Sequence, residues 1–262
     1  MPTRAELIAF FRKTLPEMEG ARGAWLGGSD ATGRADALSD IDLVVVAGDE
    51  DVRAVFDRIE AAVDAFAGVE LKLELPRPTW HGHDQTFFRL RDTPPECFID
   101  LVVMKQSAPE QTRFLEPERH GRAEVLFDLD GWIRPARFDP AAHTQKMRGR
   151  FELLKPRFAL FQSLITKALA RGNPAEAAYF YSGLCLTPLV EALRMLHCPE
   201  RYDYGLRYLD RDLPTDARAA VERLCYFGTA RDLAARHAEA VALFDDTAAA
   251  IEAKYGWGSD GA

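Results

Sequence analysis

The pattern of hydrophobic and polar positions changes in kind near the middle of the chain. In the first half, helical spacing alternates with short apolar runs. Thr3-Arg4-Ala5-Glu6 has capping-box spacing and opens an amphipathic helix through about Leu15, closed by Pro16. Gly48-Asp49-Glu50-Asp51 starts a second helix, in which Val52, Val55, Phe56, Ile59, Val63 and Phe66 recur on one face and Gly68 ends the run. Six short runs read as strands. Ala24-Trp25-Leu26 stops abruptly at Gly27-Gly28-Ser29, and Ile41 to Val46 follows a loop or short helix over Asp30 to Ser39. Val69 to Leu75 alternates apolar residues with Glu70, Lys72 and Glu74, as a half-buried strand does, and Phe87 to Leu90 is a short strand. Cys97 to Met104 is the most apolar run, and Val125 to Asp128 closes the series before a turn at Asp130-Gly131.

Beyond the proline-punctuated stretch Arg134-Pro135 to Asp139-Pro140, strand-like alternation gives way to helical patterns. Residues 141 to 171 predict a helix kinked or divided by Pro156. Asn173-Pro174-Ala175-Glu176 reads as an N-cap with proline at the first helical position, opening a helix to about His197 with Pro188 inside. Further helices are expected over Thr215 to Tyr226 and Ala230 to Lys254. The fold class is therefore α+β: a mixed α/β sheet domain over residues 1–135, then an all-α helical bundle over 136–262. A length of 262 residues suits two such units.

Composition narrows the setting. No run of eighteen apolar residues argues for a membrane span, and Met1 to Glu6 lacks the apolar core of a secretory signal, so the expected location is cytoplasmic. The four cysteines, Cys97, Cys185, Cys198 and Cys225, are dispersed without Cys-x-x-Cys spacing, which argues against zinc. Cys97 and Cys185 read as small core residues. A formal charge of -8 disfavours a broad nucleic-acid surface.

The candidate chemistry lies between Gly27 and Asp100. Side chains alternate along a strand, so Asp40 and Asp42 point to one side while Ile41 and Leu43 point to the other. Two carboxylates on one face repel unless a cation sits between them. Mg²⁺ is commonly held by one or two carboxylates plus phosphate oxygens. Gly27 and Gly28 let backbone approach a phosphate, and the Ser29 hydroxyl can contact a phosphate oxygen. Asp100 lies alone among seven apolar residues, where an unpaired charge costs several kcal/mol, so it needs a metal, a cation or strong hydrogen bonds. A structural ion pair and a third metal ligand are its two readings, and the company of Asp40 and Asp42 favours the ligand.

Gly-Gly-Ser, then Asp-x-Asp in a hydrophobic strand, then a lone Asp in a later strand resembles the nucleotidyltransferase superfamily typified by DNA polymerase beta. The matching residues are Gly28, Ser29, Asp40, Asp42 and Asp100, within roughly residues 22 to 104. The size of the chain and its helical second half are similar to the small bacterial aminoglycoside and lincosamide nucleotidyltransferases. The resemblance implies attack by a substrate hydroxyl on the α-phosphorus of a nucleoside triphosphate, ATP by expectation, with release of pyrophosphate. Asp40 and Asp42 would bind two Mg²⁺ ions, and Asp100 the one that activates the nucleophile. The general base is either Asp100 or a carboxylate of the helical half. The expected partners are a nucleoside triphosphate and a small hydroxylated acceptor, an antibiotic being one candidate, with the helical bundle as a wall of the acceptor site. Two alternatives stand beside it: a protein-modifying enzyme of the nucleotidyltransferase antitoxin type, and a nucleotide-binding regulator without transfer activity.

Other residues carry weaker signals. Glu70 and Glu74 are a rival metal pair or a solvated strand face. His81 and His83 face the triphosphate or acceptor, or are ordinary surface groups. Lys146, Arg148, Arg150, Lys155 and Arg157 contact triphosphate or form a solvated helix face. Arg201 to Tyr208 recognises a ligand or packs between helices. Glu191 is conspicuous in an apolar stretch as an acceptor-side base. Arg231 and His237 share the Arg-x₅-His spacing of helical ribonuclease partners.

Overall fold

The computed structural model describes residues 2–77 and 79–258, and the chain divides into two compact units between Phe138 and Asp139. The first unit is a six-stranded mixed sheet flanked by helices. Its strands are β1 (Ala21–Leu26), β2 (Ile41–Ala47), β3 (Val69–Glu74), β4 (Asp84–Leu90), β5 (Ile99–Lys105) and β6 (Glu124–Asp128), in the order β3-β4-β5-β2-β1-β6. Helices α1 (Arg4–Thr14), α2 (Gly28–Ala31), α3 (Val52–Ala67) and α4 (Pro117–His120) join them.

Among the described residues only β2 and β5 pair in parallel, with Asp42 opposite Asp100. The α3 segment makes this possible by carrying the chain back after β2, as a parallel pair requires. Alternation along β2 and β5 then divides their side chains between two cores. Ile41, Leu43, Val45, Ile99, Leu101 and Val103 pack under α1 and α3 with Leu7, Phe11, Val55 and Ile59. Val44, Val46, Val102 and Met104 pack on the opposite face with Trp25, Ala108 and Leu115. Asp42 and Asp100 belong to this second face, at the entry end of both strands, where the apolar packing stops.

Two sequence expectations for this unit are refined. The capping box of α1 forms in full, with Thr3 accepting from the Glu6 N–H. The half-buried strand expected over Val69 to Leu75 is instead the sheet's outer edge, and Leu71 and Leu73 are 55% and 56% exposed. An edge strand has a neighbour on one side only, so alternation there does not guarantee burial.

The second unit is all helical: α5 (Pro140–Ala170), α6 (Pro174–Tyr181), α7 (Thr187–His197), α8 (Leu209–Asp212), α9 (Thr215–Cys225) and α10 (Ala230–Tyr255). Pro156 does not divide α5, which runs through it for 31 residues. Pro188 is absorbed differently. Ser182–Leu186 forms a π-helical turn between α6 and α7. Proline cannot donate to the carbonyl four residues back, that of Leu184. The Gln162 side chain donates to it instead, at 3.0 Å. Asn173 precedes α6 as expected, but its side chain makes no capping bond to the backbone. Met147, Phe151, Phe158, Leu189, Leu193 and Phe244 are among the residues that fill the core of this unit. Among the described residues no helix is long and apolar enough to cross a membrane.

Candidate active site

The site is built at the turn between β1 and α2, against the entry ends of β2 and β5. The Gly27 N–H donates to the Asp42 carbonyl at 2.8 Å, extending the β1–β2 ladder by one bond. That amide is committed to the fold. Gly28 turns the chain with φ +49°, in the left-handed region that glycine enters without cost. A β-carbon there would lie 1.7 Å from Asp42 Oδ2, so the absence of a side chain gives the carboxylate its place. Ser29 follows, and its Oγ is buried without a hydrogen-bond partner. Buried hydroxyls are ordinarily paired, and leaving one unpaired costs roughly 1–3 kcal/mol.

The structure brings Asp40, Asp42 and Asp100 into one electrostatic group. Burial raises the Asp42 pKa from 3.8 to about 7, reinforced by the negative charges of Asp40, Asp100 and Asp30. Burial is also the main cause that raises Asp100 and Asp40, and the charge of Asp40 adds to the rise at Asp100. Groups that disfavour their own ionisation in this way are a recognised mark of functional sites.

Three residues of this site were not singled out from sequence. Arg4 of α1 donates its Nη2 to Asp30 Oδ2, and its Nε and Nη2 both to the Asp40 carbonyl at 3.2 Å. The pair is well covered, with side-chain exposures of 16% for Arg4 and 5% for Asp30. Arg4 also opposes the rise in pKa at Asp40 and Asp42. Gln85 of β4 donates its Nε2 to Asp100 Oδ1 at 2.7 Å. The clue to Gln85 was alternation on β4. Phe87 stands opposite Asp100, so Gln85 shares its face and reaches Asp100 diagonally. Arg4 and Asp30 had no local signal, since their partners lie 26 and 36 residues away.

The donors fit a hard divalent cation. All are oxygens, Arg4 is the cation that offsets Asp40 and Asp42, and Ser29 supplies a buried hydroxyl with capacity to spare. Among the described residues no three His, Cys, Asp or Glu side chains are drawn together around a single point. Asp42 and Asp100 stand opposite each other on β2 and β5, and Asp40 lies just before β2.

No protein-family model matches the chain, and no curated protein matches it. Solved structures similar to it include an aminoglycoside 6-adenyltransferase from Bacillus subtilis, 13% identical, with 96% of this chain and 91% of that chain covered and a TM-score of 0.36. Another is a nucleotidyltransferase-like protein from Exiguobacterium sibiricum 255-15, 11% identical, with 94% and 77% covered and a TM-score of 0.40.

The weaker sequence candidates separate clearly. Glu70 is paired with Arg89 at 3.0 Å, and Glu74 with Arg53 at 2.8 Å and Arg77 at 3.1 Å, so these are the ion-paired edge of the sheet rather than a metal pair. His81 connects to the site through Gln85, with Nε2 3.1 Å from Gln85 Oε1. His83 is buried, its Nε2 donating to the Thr112 carbonyl at 2.7 Å, and burial lowers its pKa.

In the helical unit, Glu191 lies in a cleft of about 180 Å³ with Leu154, Arg157, Phe158 and Phe161. Both of its oxygens accept from Arg150, at 2.5 and 2.7 Å, as an ion pair inside the helical unit. Of the expected basic cluster, Arg148 pairs with Glu152 and Lys155 with Glu252 inside the same unit. Arg201 to Tyr208 wraps the fully buried Arg194, which donates to the carbonyls of Arg201, Gly205 and Arg207 and to Asp212. Packing explains that segment. His237 is buried with its Nε2 3.0 Å from Gln162 Oε1, a structural bond that gives no support to the ribonuclease-like spacing with Arg231.

Proposed function

We propose that this protein is a metal-dependent nucleotidyltransferase, moving a nucleoside monophosphate from a nucleoside triphosphate to a hydroxyl of a small acceptor. One observation carries the reading. Asp42 and Asp100 are opposed in register on two parallel strands, and Asp42 fills the space a side chain on Gly28 would take, beside Ser29 with its buried, unpartnered hydroxyl.

In the proposed reaction, the acceptor oxygen forms a bond to the α-phosphorus as the bond from the α-phosphorus to the α,β-bridging oxygen breaks. The electron pair of that bond leaves on pyrophosphate. Asp40 and Asp42 would hold Mg²⁺ jointly, with Asp100 contributing on the acceptor side. Bound Mg²⁺ neutralises the phosphate oxygens and lowers the pKa of a hydroxyl near it. Ser29 would donate its hydroxyl to a phosphate oxygen. Arg4 keeps the start of β2 in place through the Asp40 carbonyl and offsets the charge of Asp30. The acceptor proton would pass to a carboxylate, and we assign Asp100, which burial biases toward holding a proton and which stands on the proposed acceptor side. ATP is the donor we favour.

The acidic balance of the chain speaks against a nucleic-acid acceptor. Incubation with the four α-labelled nucleoside triphosphates, Mg²⁺ and a panel of hydroxylated antibiotics tests the reading. Label transferred to a small molecule supports it. Label on protein assigns the antitoxin-type activity instead, and tight binding without pyrophosphate release assigns a regulator.

A further inference from the structure

The hydrogen bonds behind Asp100 form a chain with one direction. The backbone N–H of His83 points at His81 Nδ1, 3.1 Å away. A backbone N–H can only donate, so Nδ1 must carry the lone pair and Nε2 the proton. The Thr79 hydroxyl, 3.2 Å from the same nitrogen, gives its own proton to the His83 carbonyl and does not compete. Nε2–H therefore donates to Gln85 Oε1 at 3.1 Å. With its oxygen so occupied, the Gln85 amide must turn its NH₂ toward Asp100 Oδ1, where it donates at 2.7 Å.

The alternative amide orientation is doubly unfavourable. It would set the Gln85 oxygen against a carboxylate and its NH₂ against the His81 Nε2–H. The ring of His81 is itself held, by edge contacts with Trp80 and Phe114 at 5.0 and 5.6 Å between centroids. Phe114 adopts φ +57°, a conformation a bulky side chain takes only when its surroundings hold it there. Asp100 Oδ2 accepts no hydrogen bond from the described residues.

From this geometry we infer that His81 and Gln85 are positioning residues. Together they fix the rotation of the Asp100 carboxylate, so that Oδ1 is spent on Gln85 and Oδ2 is presented to the cation or hydroxyl at the site. The inference rests on the nucleotidyltransferase reading. It goes beyond it by giving work to two residues that touch neither substrate nor metal. Outer partners that orient a ligating carboxylate typically change metal affinity by roughly 10–100-fold when removed.

The test uses Mn²⁺ as the probe, titrated into the full-length protein without nucleotide and followed by electron paramagnetic resonance. Gln85→Leu and His81→Phe are each expected to weaken Mn²⁺ binding by about tenfold or more. The double variant is expected to be no weaker than the worse single one, because both act through one bond. His81→Gln, whose amide can still donate to Gln85, is expected to recover most of the loss. Nitrogen chemical shifts of His81 in the wild type are expected to report the Nε2–H tautomer. Should His81→Phe fail to fold, Gln85→Leu alone decides.

Unchanged Mn²⁺ affinity in Gln85→Leu, independent losses that multiply in the double variant, or a dominant Nδ1–H tautomer overturns the inference. If Asp42→Asn loses Mn²⁺ while Gln85→Leu keeps it, only the positioning role falls. If the wild type binds no Mn²⁺, the metal site falls with it.

Discussion

Asp42 Oδ2 occupies the space in which Gly28 would carry a β-carbon, 1.7 Å from where that carbon would stand. The glycine and the carboxylate are therefore one structural unit. Gly28→Ala must move Asp42 and also strain a backbone at φ +49°, the second effect costing about 1–2 kcal/mol. Loss of transfer activity with a lowered Tm is the expected outcome. Gly27→Ala is the control. Its β-carbon would meet Asp42 Cβ at an ordinary 3.7 Å, so calorimetry should find a change within about 0.5 kcal/mol.

Ser29 separates stability from function. Its buried hydroxyl has no partner, so Ser29→Ala removes an unsatisfied group and should leave Tm unchanged or slightly raised. The KM for the nucleotide should rise severalfold, because the hydroxyl's proposed partner is phosphate. A lowered Tm with unchanged KM would assign Ser29 to the fold alone.

The pH dependence of stability follows from Asp42. Its folded pKa is raised from 3.8 to about 7, so between these values the folded state holds a proton that the unfolded chain has released. This contribution to stability is fully present below about pH 4 and is lost as pH rises to about 7. Asp42→Asn should thus be more stable than wild type at pH 8, by about 1–4 kcal/mol, and similar to it at pH 4. Mg²⁺ should stabilise the wild type at pH 8 by mass action and leave Asp42→Asn nearly unmoved. Denaturant titrations at the two pH values, with and without Mg²⁺, measure all four quantities.

Arg4 is the cation that makes this cluster tolerable. Replacing it with Leu leaves Asp30 buried without its partner and lets the pKa values of Asp40 and Asp42 climb further. The expected result is a loss of roughly 2–4 kcal/mol at pH 8, smaller at pH 4, where Asp42 is protonated. Urea unfolding of Arg4→Leu at both pH values checks it.

Much of this fold was legible because local rules and tertiary packing agreed. Thr3 and Glu6 announced α1, the spacing from Val52 to Val63 announced α3, and the apolar runs around Asp42 and Asp100 became neighbouring parallel strands. Disagreements arose where a distant residue intervened. Pro188 sits in the first turn of α7, just after a π-helical turn, and Gln162 donates to the Leu184 carbonyl that proline leaves without an amide, a bond spanning 22 residues. The alternation of Leu71 and Leu73 was sound for a strand and silent about its place at the edge. At the site, chemistry-bearing types in close sequence, Gly28, Ser29, Asp40 and Asp42, were visible. Arg4, Asp30 and Gln85 were not, because each acts through a contact that only the folded chain creates.

The most direct measurement is pyrophosphate release from α-labelled nucleoside triphosphate and Mg²⁺ with the acceptor panel, comparing wild type with Asp42→Asn at matched concentration, both shown to be folded by circular dichroism. Release by the wild type, reduced by at least about a thousandfold in Asp42→Asn, is the predicted result, equivalent to about 4 kcal/mol of lost transition-state stabilisation. Release by Asp42→Asn at the wild-type rate would contradict a reaction carried by these carboxylates.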